Sequence, residues 1–405
     1  MSVFDLESFR GCFPSLESGV VFLDAPGGTQ SPRPVGEAVA ATLTGPLSNR
    51  GLQSVSELNA ENAVGQFRRA YADLLGADPR GVVYGRSATQ LTYDFSRHLS
   101  RTWGVGDEVV VTRLDHDANV RPWVQAAERT GATVRWIDLD PSTGGLDFSE
   151  ADTLINARTR LVAVTAASNL IGTIVDVAFL AEQAHRAGAL VYVDGVHYTA
   201  HSLVDISALG ADFFVCSPYK FLGPHCAVLA ADPDLLESII PDKLLPSPNQ
   251  VPERFELGTL PYELMAGATA AVDFLAEAGS GSGSRRESLR LAHAMISQHE
   301  QQLAHRILTT IQEELGDQVV VHSRAAQRTP TLFLTFPGRS SKEVSRTLHA
   351  QGIHAPAGSF YAYETFGRLG VEDEAGLRIG IAPYTSDDDA DRFLAALMDH
   401  LKAGS

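Results

Sequence analysis

Short apolar runs alternate with amphipathic segments along most of the chain. The apolar runs predict strands at 82–84, 108–112, 133–139, 160–168, 189–194, 213–217 and 226–231. Apolar residues at helical spacing, such as Val64, Phe67 and Tyr71 within residues 56–75, predict helices between some of these runs. Strands that alternate with helices favour an α/β fold with a mainly parallel sheet.

The last third of the chain has a different pattern. The glycine- and serine-rich stretch AGSGSGSRRES at 278–288 predicts a flexible insertion or a loop tip. After it the pattern predicts a long helix over about 287–315, strands within 319–323, 331–336 and 377–382, and helices at 341–352 and 389–401. We therefore predict a large domain at 20–265 and a small α+β domain formed by 1–19 together with 266–405.

Composition narrows the class of protein. The 405-residue chain has 44% hydrophobic and 20% charged residues, as ordinary globular proteins do. A formal net charge of -17 repels phosphates and argues against nucleic acids and anionic membranes as partners. No apolar run is long enough to predict a membrane span or a signal peptide. The three cysteines (Cys12, Cys216, Cys226) lack CxxC spacing, which predicts a reduced, cytoplasmic location and no metal site.

Candidate chemistry gathers at the ends of two neighbouring predicted strands. Asp194 closes one apolar run and His197 follows it, while Ser217 and Lys220 follow the next run. The carboxyl ends of parallel strands are where α/β proteins present functional groups. Pyridoxal phosphate needs an amine for a Schiff base, an anion for its ring nitrogen, and donors for its phenolic oxygen and phosphate. Lys220, Asp194, His197 and Ser217 can supply these in that order.

The segment VDGVHYTAHSLVDISALGADFFVCSPYKFLGP (193–224) resembles the cofactor signature of the class V aminotransferases. This branch of the fold-type I pyridoxal phosphate enzymes includes the cysteine desulfurases, and the similarity extends from LDAPGGTQ (23–30) to LRIGIAPYTSDDDADRF (377–393). The resemblance implies a seven-stranded, mainly parallel sheet sandwiched by helices, a smaller C-terminal domain and a homodimer that acts on an amino acid.

The resemblance also implies further cofactor contacts. His116, in RLDHDAN, matches the histidine that stacks on the pyridine ring, and from there it could also move protons. Asn169 matches a donor to the phenolic oxygen. Ala88 and Thr89 open a predicted helix whose N-terminus would bind the phosphate, although a serine or threonine there is ordinarily just a cap.

Two further segments match residues that serve the neighbouring subunit in relatives. Gly258 and Thr259 match a Gly-Thr pair that bonds the partner's phosphate across a dimer interface; the alternative is an ordinary loop. Asn49 stands where many relatives have the histidine of a His-Arg-Gly sequence, which puts that role in doubt.

For the substrate, Arg378 matches the arginine that grips the α-carboxylate, a task suited to a planar fork of donors. The loop at Gly28 matches one near the same carboxylate, although it could equally be a plain turn. The catalytic cysteine of the desulfurases falls at Tyr361 in the alignment, and persulfide chemistry needs a thiolate. The chain therefore resembles a subgroup that lacks this cysteine.

We predict a carbon–sulfur lyase that acts by β-elimination on cysteine or a cysteine S-conjugate. The alternative is an aminotransferase, epimerase, or decarboxylating or oxidatively deaminating enzyme that acts on a cysteine-derived or other amino acid. The aromatic loop with Phe360, Tyr361 and Tyr363 would suit a bulky substrate. A binding protein that has lost catalysis is a third reading, and the intact lysine and aspartate argue against it.

Overall fold

The computed structural model describes residues 4–279 and 283–402. In chain order the strands are β1 (Val21–Phe22), β2 (Val82–Gly85), β3 (Glu108–Thr112), β4 (Thr133–Ile137), β5 (Leu139–Asp140), β6 (Gly145–Leu146), β7 (Thr159–Thr165), β8 (Leu190–Asp194), β9 (Phe213–Cys216), β10 (Ala227–Ala231), β11 (Val320–Val321), β12 (Thr331–Thr335), β13 (Ile353–His354), β14 (Ala357–Gly358) and β15 (Gly376–Gly380). The α-helices are α1 (Leu6–Arg10), α2 (Arg33–Thr44), α3 (Val55–Leu75), α4 (Ala88–Leu99), α5 (Arg121–Thr130), α6 (Ala151–Leu154), α7 (Val177–Arg186), α8 (Ile206–Leu209), α9 (Pro233–Ser238), α10 (Tyr262–Ala278), α11 (Arg285–Leu315), α12 (Ser341–Ala350), α13 (Tyr363–Arg368) and α14 (Asp387–Lys402).

Seven strands form the large sheet, in the order β2-β10-β9-β8-β7-β3-β4. The pairings among β9, β8, β7, β3 and β4 are all parallel. Strand β10 runs antiparallel to both of its neighbours, so β2 points in the same direction as β9. The predicted α/β fold with a mainly parallel seven-stranded sheet is confirmed.

Helices cover both faces of this sheet. In β8, Val191 and Val193 join the core that contains α3, α7 and α10, whereas Tyr192 faces the other way and packs against Trp123 of α5. Successive residues of a strand point to opposite faces, so a strand buried on both sides needs a continuous apolar run. Such continuous apolar runs are the pattern from which the sequence predicted the parallel strands.

Residues at its two ends determine where helix α3 begins and ends. Ser54 accepts a hydrogen bond from the Glu57 N–H at its start, and the Glu57 side chain accepts one from the Ser54 N–H in return. Gly76 ends the helix in the left-handed conformation that glycine adopts without steric cost. The predicted helix at 56–75 agrees with the structure to within one residue.

The small unit is an antiparallel sheet with the order β11-β12-β15-β14. Helices α12 and α14 and the second half of α11 bury their apolar faces on it. Strand β1 comes from the other end of the chain and pairs in parallel with β13. The predicted α+β arrangement of the C-terminal part is therefore present.

Packing divides the chain differently from the predicted boundaries at 20 and 265. Val21 and Leu23 lie in the core of the small unit, although they follow residue 20. Helix α10 spans the second boundary, and its Met265 and Val272 lie in the core of the large unit together with Leu289 of α11. The sequence marks a helix by its apolar stripe, but it does not show which surface covers that stripe.

The stretch predicted as a flexible insertion, 278–288, contains the ends of two helices. Ala278 closes α10, and Ser284 caps α11 by accepting a hydrogen bond from the Glu287 N–H at 3.3 Å. The prediction is therefore wrong for 285–288, which are helical, while 280–282 lie outside the described residues. Within the described ranges, no helix is both long and apolar enough to cross a membrane.

Candidate active site

A cavity of about 640 Å³ lies where the parallel strands end. Strands β2, β3, β7, β8 and β9 all point toward this edge of the sheet, so the loops that follow them meet there. The predicted site residues that line the cavity are Ala88, Thr89, His116, Asn169, Asp194, His197, Ser217, Lys220, Tyr361 and Arg378. Segments far apart in the chain are thus brought to one place.

Lys220 presents its amine to the cavity, one turn beyond the end of β9. The ammonium donates a hydrogen bond to the carbonyl of Pro26 and lies 4.8 Å from the centre of the Tyr219 ring. Burial, together with the positive charge of Arg378, lowers the pKa of Lys220 to about 7, against the opposing effect of Asp194. A substantial fraction of the amine is therefore unprotonated, and hence nucleophilic, near neutral pH.

Asp194 lies at the end of β8 and is only 7% exposed. One of its carboxylate oxygens accepts a hydrogen bond from the Val196 N–H at 2.9 Å. Burial raises its pKa to about 6, while that hydrogen bond and the charge of Lys220 act in the opposite direction. The intervening Gly195 cannot be replaced without movement, because a Cβ there would lie 1.9 Å from the Phe214 ring.

A second buried carboxyl group, Asp115, lies near Asp194 and was not among the predicted residues. It accepts hydrogen bonds from the Thr112 hydroxyl and, at 2.7 Å, from the Asn119 amide. Burial raises its pKa to about 8, and the charge of Asp194 contributes in the same direction. Asp115 is therefore largely protonated at neutral pH. The signal in the sequence was an aspartate directly before His116, immediately after a buried strand.

His116 has a fixed hydrogen-bonding state. Its Nδ1 accepts a hydrogen bond from the Ala118 N–H at 3.0 Å, so the neutral ring carries its proton on Nε2. Burial, reinforced by the charge of Lys220, lowers the pKa of His116 to about 4. The ring stacks on Tyr361 with the ring centres 5.6 Å apart.

One ring nitrogen of His197 is already engaged in hydrogen bonds, which limits the role predicted for this residue. Its Nε2 lies 2.9 Å from the Thr329 hydroxyl oxygen and 3.1 Å from that of Thr331, both in the small unit. Its ring also meets His201 edge to face at 5.0 Å. Only Nδ1 remains for the predicted bond to a phenolic oxygen. The sequence could not show this, because the threonines lie more than a hundred residues further along the chain.

The start of α4 lines the cavity with backbone N–H groups that suit an anion. The Ser87 hydroxyl accepts a hydrogen bond from the Gln90 N–H at 3.1 Å, and the first backbone bond of the helix is donated by the Leu91 N–H. The N–H groups of Ala88 and Thr89 precede that bond, at the positive end of the helix dipole. Ser217 and Ser87 also line the cavity.

Arg378 lies in β15 and is 3% exposed. One Nη donates a hydrogen bond to the Asn169 carbonyl at 2.9 Å, and the Phe360 ring covers the guanidinium at 3.7 Å from its centre. Its buried Nε has no hydrogen-bond partner among the described residues. Burial lowers the pKa of Arg378 to about 9, opposed by the nearby charge of Asp24, so the group stays positive at neutral pH.

Asn169 fixes the loop that carries the aromatic residues. Its side-chain amide donates a hydrogen bond to the Phe360 carbonyl at 3.0 Å, and its buried Oδ1 has no partner in the described chain. The Asp117 N–H donates to the Tyr361 carbonyl at 2.8 Å. Phe360 and Tyr361 have φ values of 54° and 57°, in the left-handed region that costs residues with a Cβ about 1–2 kcal/mol each.

Four predicted residues do not line the cavity. Gly28 lies behind it, where a Cβ would come 3.3 Å from the Tyr219 ring; its neighbours Pro26 and Gly27 line the cavity instead. Asn49, Gly258 and Thr259 are exposed on the surface of this single chain. Tyr219 also lines the cavity and was not predicted, since its only signal in the sequence was its position beside Lys220.

None of the three cysteines lines the cavity. Cys216 and Cys226 are buried, and burial raises the pKa of the Cys226 thiol to about 12 and that of Cys216 further. Cys12 lies in the N-terminal segment and is partly exposed. Phe360 and Tyr361 of the small unit line the cavity together with Lys220, and the position of Tyr361 is the one where the resemblance predicted that the desulfurase cysteine is absent.

Known proteins resemble the chain over nearly its whole length. The family model described as Aminotransferase class-V matches residues 21–393. An uncharacterized protein of Mycobacterium tuberculosis is 32% identical over 403 residues, which cover 97% of this chain and 98% of that protein. The aminotransferase-like protein FGM3 of Gibberella zeae is 30% identical over 410 residues, with 98% of each covered. The crystal structure of the cysteine desulfurase CsdA from Escherichia coli has a TM-score of 0.87 at 25% identity, with 99% of each chain covered.

Proposed function

The chain belongs to the class V aminotransferase family of pyridoxal phosphate enzymes, and we propose that it cleaves the Cβ–S bond of cysteine or a cysteine S-conjugate by β-elimination. The observation that carries the proposal is a cavity that contains a lysine amine, a buried carboxylate and a buried arginine, but no cysteine. Such a site can break a bond at Cα of an amino acid and release a thiol without forming a persulfide.

The residues present fit pyridoxal phosphate. The free N–H groups at the start of α4, with Ser217, suit the phosphate, and Asp194 suits a protonated ring nitrogen, which offsets the free-energy cost of burying the carboxylate. Lys220 would be the amine that attaches the cofactor, and His116 would lie beside its ring. When bound, the cofactor withdraws electrons from Cα of the substrate and so makes the bonds there easier to break.

Arg378 would orient the substrate. Its guanidinium is held by the Asn169 carbonyl and the Phe360 ring, and its unpartnered Nε leaves a donor for a carboxylate. A carboxylate bound in two places fixes the direction of the Cα–H bond relative to the lysine. The low dielectric of this buried position strengthens the pairing.

Lys220 would move the proton. With a pKa near 7, its amine can take the proton from Cα and is regenerated at neutral pH. The electron pair of the Cα–H bond then forms the Cα–Cβ double bond while the Cβ–S bond breaks, and sulfur leaves as a thiolate. The thiolate takes up the proton that Lys220 accepted, and water hydrolyses the released 2-aminoacrylate to pyruvate and ammonia. His116, neutral with its proton on Nε2, acts in this scheme as a hydrogen-bond donor.

We also propose that two copies associate so that Gly258 and Thr259 of each reach the phosphate end of the other site. Both residues are exposed in the single chain. Three large apolar side chains are exposed as well: Leu257 at 54%, beside Gly258 in the sequence, and Leu52 at 74% and Val55 at 64%, just before and at the start of α3. Such surfaces are usually covered in an assembly. Asn49 would lie at the same interface.

The test is product analysis by mass spectrometry after incubation of the holoenzyme with cysteine, S-alkyl cysteines and ordinary amino acids. Pyruvate, ammonia and a free thiol in equal amounts from the S-conjugates are expected. A keto acid that keeps the substrate's side chain, together with the amine form of the cofactor, would instead establish an aminotransferase. This is the second candidate because of the similarity to the aminotransferase-like protein FGM3. Release of CO₂ or a racemised amino acid would likewise refute β-elimination.

A further inference from the structure

A second space continues from the active-site cavity to the surface. We call it the outer groove; it has a volume of about 610 Å³ and is lined by Asp117, Arg121, Ser359, Phe360, Tyr361 and Tyr363. Four of these residues, Asp117, Arg121, Phe360 and Tyr361, line the inner cavity too. A molecule held at Arg378 can therefore extend past Phe360 into the groove without a break.

The groove displays two aromatic rings. Tyr361 is 76% exposed and Tyr363 is 71% exposed. The backbone that presents Tyr361 is in a left-handed conformation at two consecutive positions and is held there by the Asn169 amide and the Asp117 N–H. Strain of this kind persists only where surrounding contacts impose it, and it is concentrated at ligand sites. An exposed ring on a fixed, strained backbone is suited to stack on a ligand.

The charges in the groove are already paired. The Arg121 Nε donates to Asp117 at 2.9 Å, and an Nη of Arg121 lies 3.1 Å from Glu364. Glu364 also accepts a hydrogen bond from Arg113 at 2.5 Å. The groove therefore offers no unpaired cation for a second carboxylate or a phosphate. What remains available is the flat aromatic surface and two phenolic hydroxyls.

We propose that the outer groove receives the sulfur substituent of the substrate, and that this substituent is aromatic or otherwise flat and uncharged. This inference rests on the proposed function, because it assigns the far end of the molecule whose carboxylate meets Arg378. Tyr361 is the specificity-determining residue. The substrate class is then S-aryl or S-arylmethyl cysteines rather than free cysteine.

Binding to the holoenzyme tests the proposal without turnover. In the two probes a methylene replaces the sulfur, so they have no leaving group. Norvaline stands for S-methylcysteine, and 2-amino-5-phenylpentanoate stands for S-benzylcysteine. The change in visible absorbance of the bound cofactor gives each Kd. We expect the phenyl probe to bind the unmodified protein at least tenfold more tightly, the contribution of about one aromatic contact with its buried area.

Three variants test whether the Tyr361 ring is the source of the tighter binding of the phenyl probe. Tyr361→Ala should reduce the affinity ratio to within about threefold, whereas Tyr361→Phe should keep it, because the ring and not the hydroxyl stacks. Leu245→Ala, at a position 97% exposed away from the groove, is the matched control and should keep the ratio. An unchanged ratio in Tyr361→Ala overturns the inference. If neither probe shifts the absorbance, or if neither S-methylcysteine nor S-benzylcysteine yields pyruvate, it is the proposed function that fails.

Discussion

Replacing Asp194 by asparagine should stabilise the cofactor-free protein while weakening cofactor binding. Burial raises the pKa of this carboxyl from its ordinary value of 3.8 to about 6, which at about 1.36 kcal/mol per pKa unit corresponds to about 3 kcal/mol. Because the folded-state pKa lies above the unfolded value, this contribution is a penalty. It is absent below pH 3.8, grows as the pH rises through 6, and is complete at pH 7. Asparagine removes the charge and can still accept the Val196 hydrogen bond.

The assay is thermal unfolding of protein stripped of cofactor by hydroxylamine, at pH 4 and at pH 7.5. About 3 kcal/mol is worth roughly 3–4 °C in Tm for a chain of this length. We expect the Tm of the Asp194→Asn variant to exceed that of the unmodified protein by this amount at pH 7.5 and to equal it at pH 4. Added pyridoxal phosphate should cancel the advantage, since the variant lacks the anion for the ring nitrogen, and its Kd for the cofactor should rise on the order of a hundredfold.

Asp115→Asn is the matched control. Its folded-state pKa of about 8 also lies above 3.8, so the penalty from this carboxyl grows as the pH rises from 3.8 to 8. The Tm advantage of Asp115→Asn should therefore keep increasing between pH 7 and pH 8, where that of Asp194→Asn is already constant. The reasoning is refuted if Asp194→Asn lowers the Tm of the cofactor-free protein at pH 7.5. It is equally refuted if the Tm advantages of the two asparagine variants show the same pH dependence between pH 7 and pH 8.

Three further changes test individual roles. Lys220→Ala should abolish the visible absorbance of a covalently held cofactor while the far-UV circular dichroism stays unchanged; persistence of that absorbance would exclude this lysine as the attachment point. Arg378→Ala should raise KM for amino acids about a hundredfold, since a buried charge-assisted pair is lost. Arg378→Lys should restore only part of the affinity, because lysine cannot pair with a carboxylate in two places. An unchanged KM would show that Arg378 does not bind the carboxylate. Thr259→Ala should raise the Kd for pyridoxal phosphate about tenfold without altering a dimeric elution volume, and a monomer in sedimentation would contradict the shared site.

Much of the site was predictable because it is built on strand ends. Asp194, Ser217 and Lys220 each follow a continuous apolar run, and parallel strands buried on both faces leave that signature in the sequence. Once the runs are placed in one sheet, their carboxyl ends must meet. The family resemblance added His116, Asn169 and Arg378, which local patterns alone could not distinguish from ordinary surface residues.

The rest depended on contacts between distant segments. The hydrogen bonds from His197 to Thr329 and Thr331, and from Lys220 to the Pro26 carbonyl, join parts of the chain separated by more than a hundred residues. Periodicity describes a single element and carries no information about such partners. Asp115 was missed for a related reason, since its raised pKa comes from burial that only the folded chain creates.

The pairing of the first strand with the last part of the chain determines the order in which the protein can be built on the ribosome. Strand β1 needs β13, Arg10 pairs with Asp389, and the Asp24 backbone bridges to Gly380. A chain is synthesised from its N-terminal side, so strand β1 has no strand partner until β13 has been synthesised. The large sheet, complete at Ala231, can form long before. Assembly of the small unit, and with it the placement of Arg378, therefore follows the formation of the large sheet.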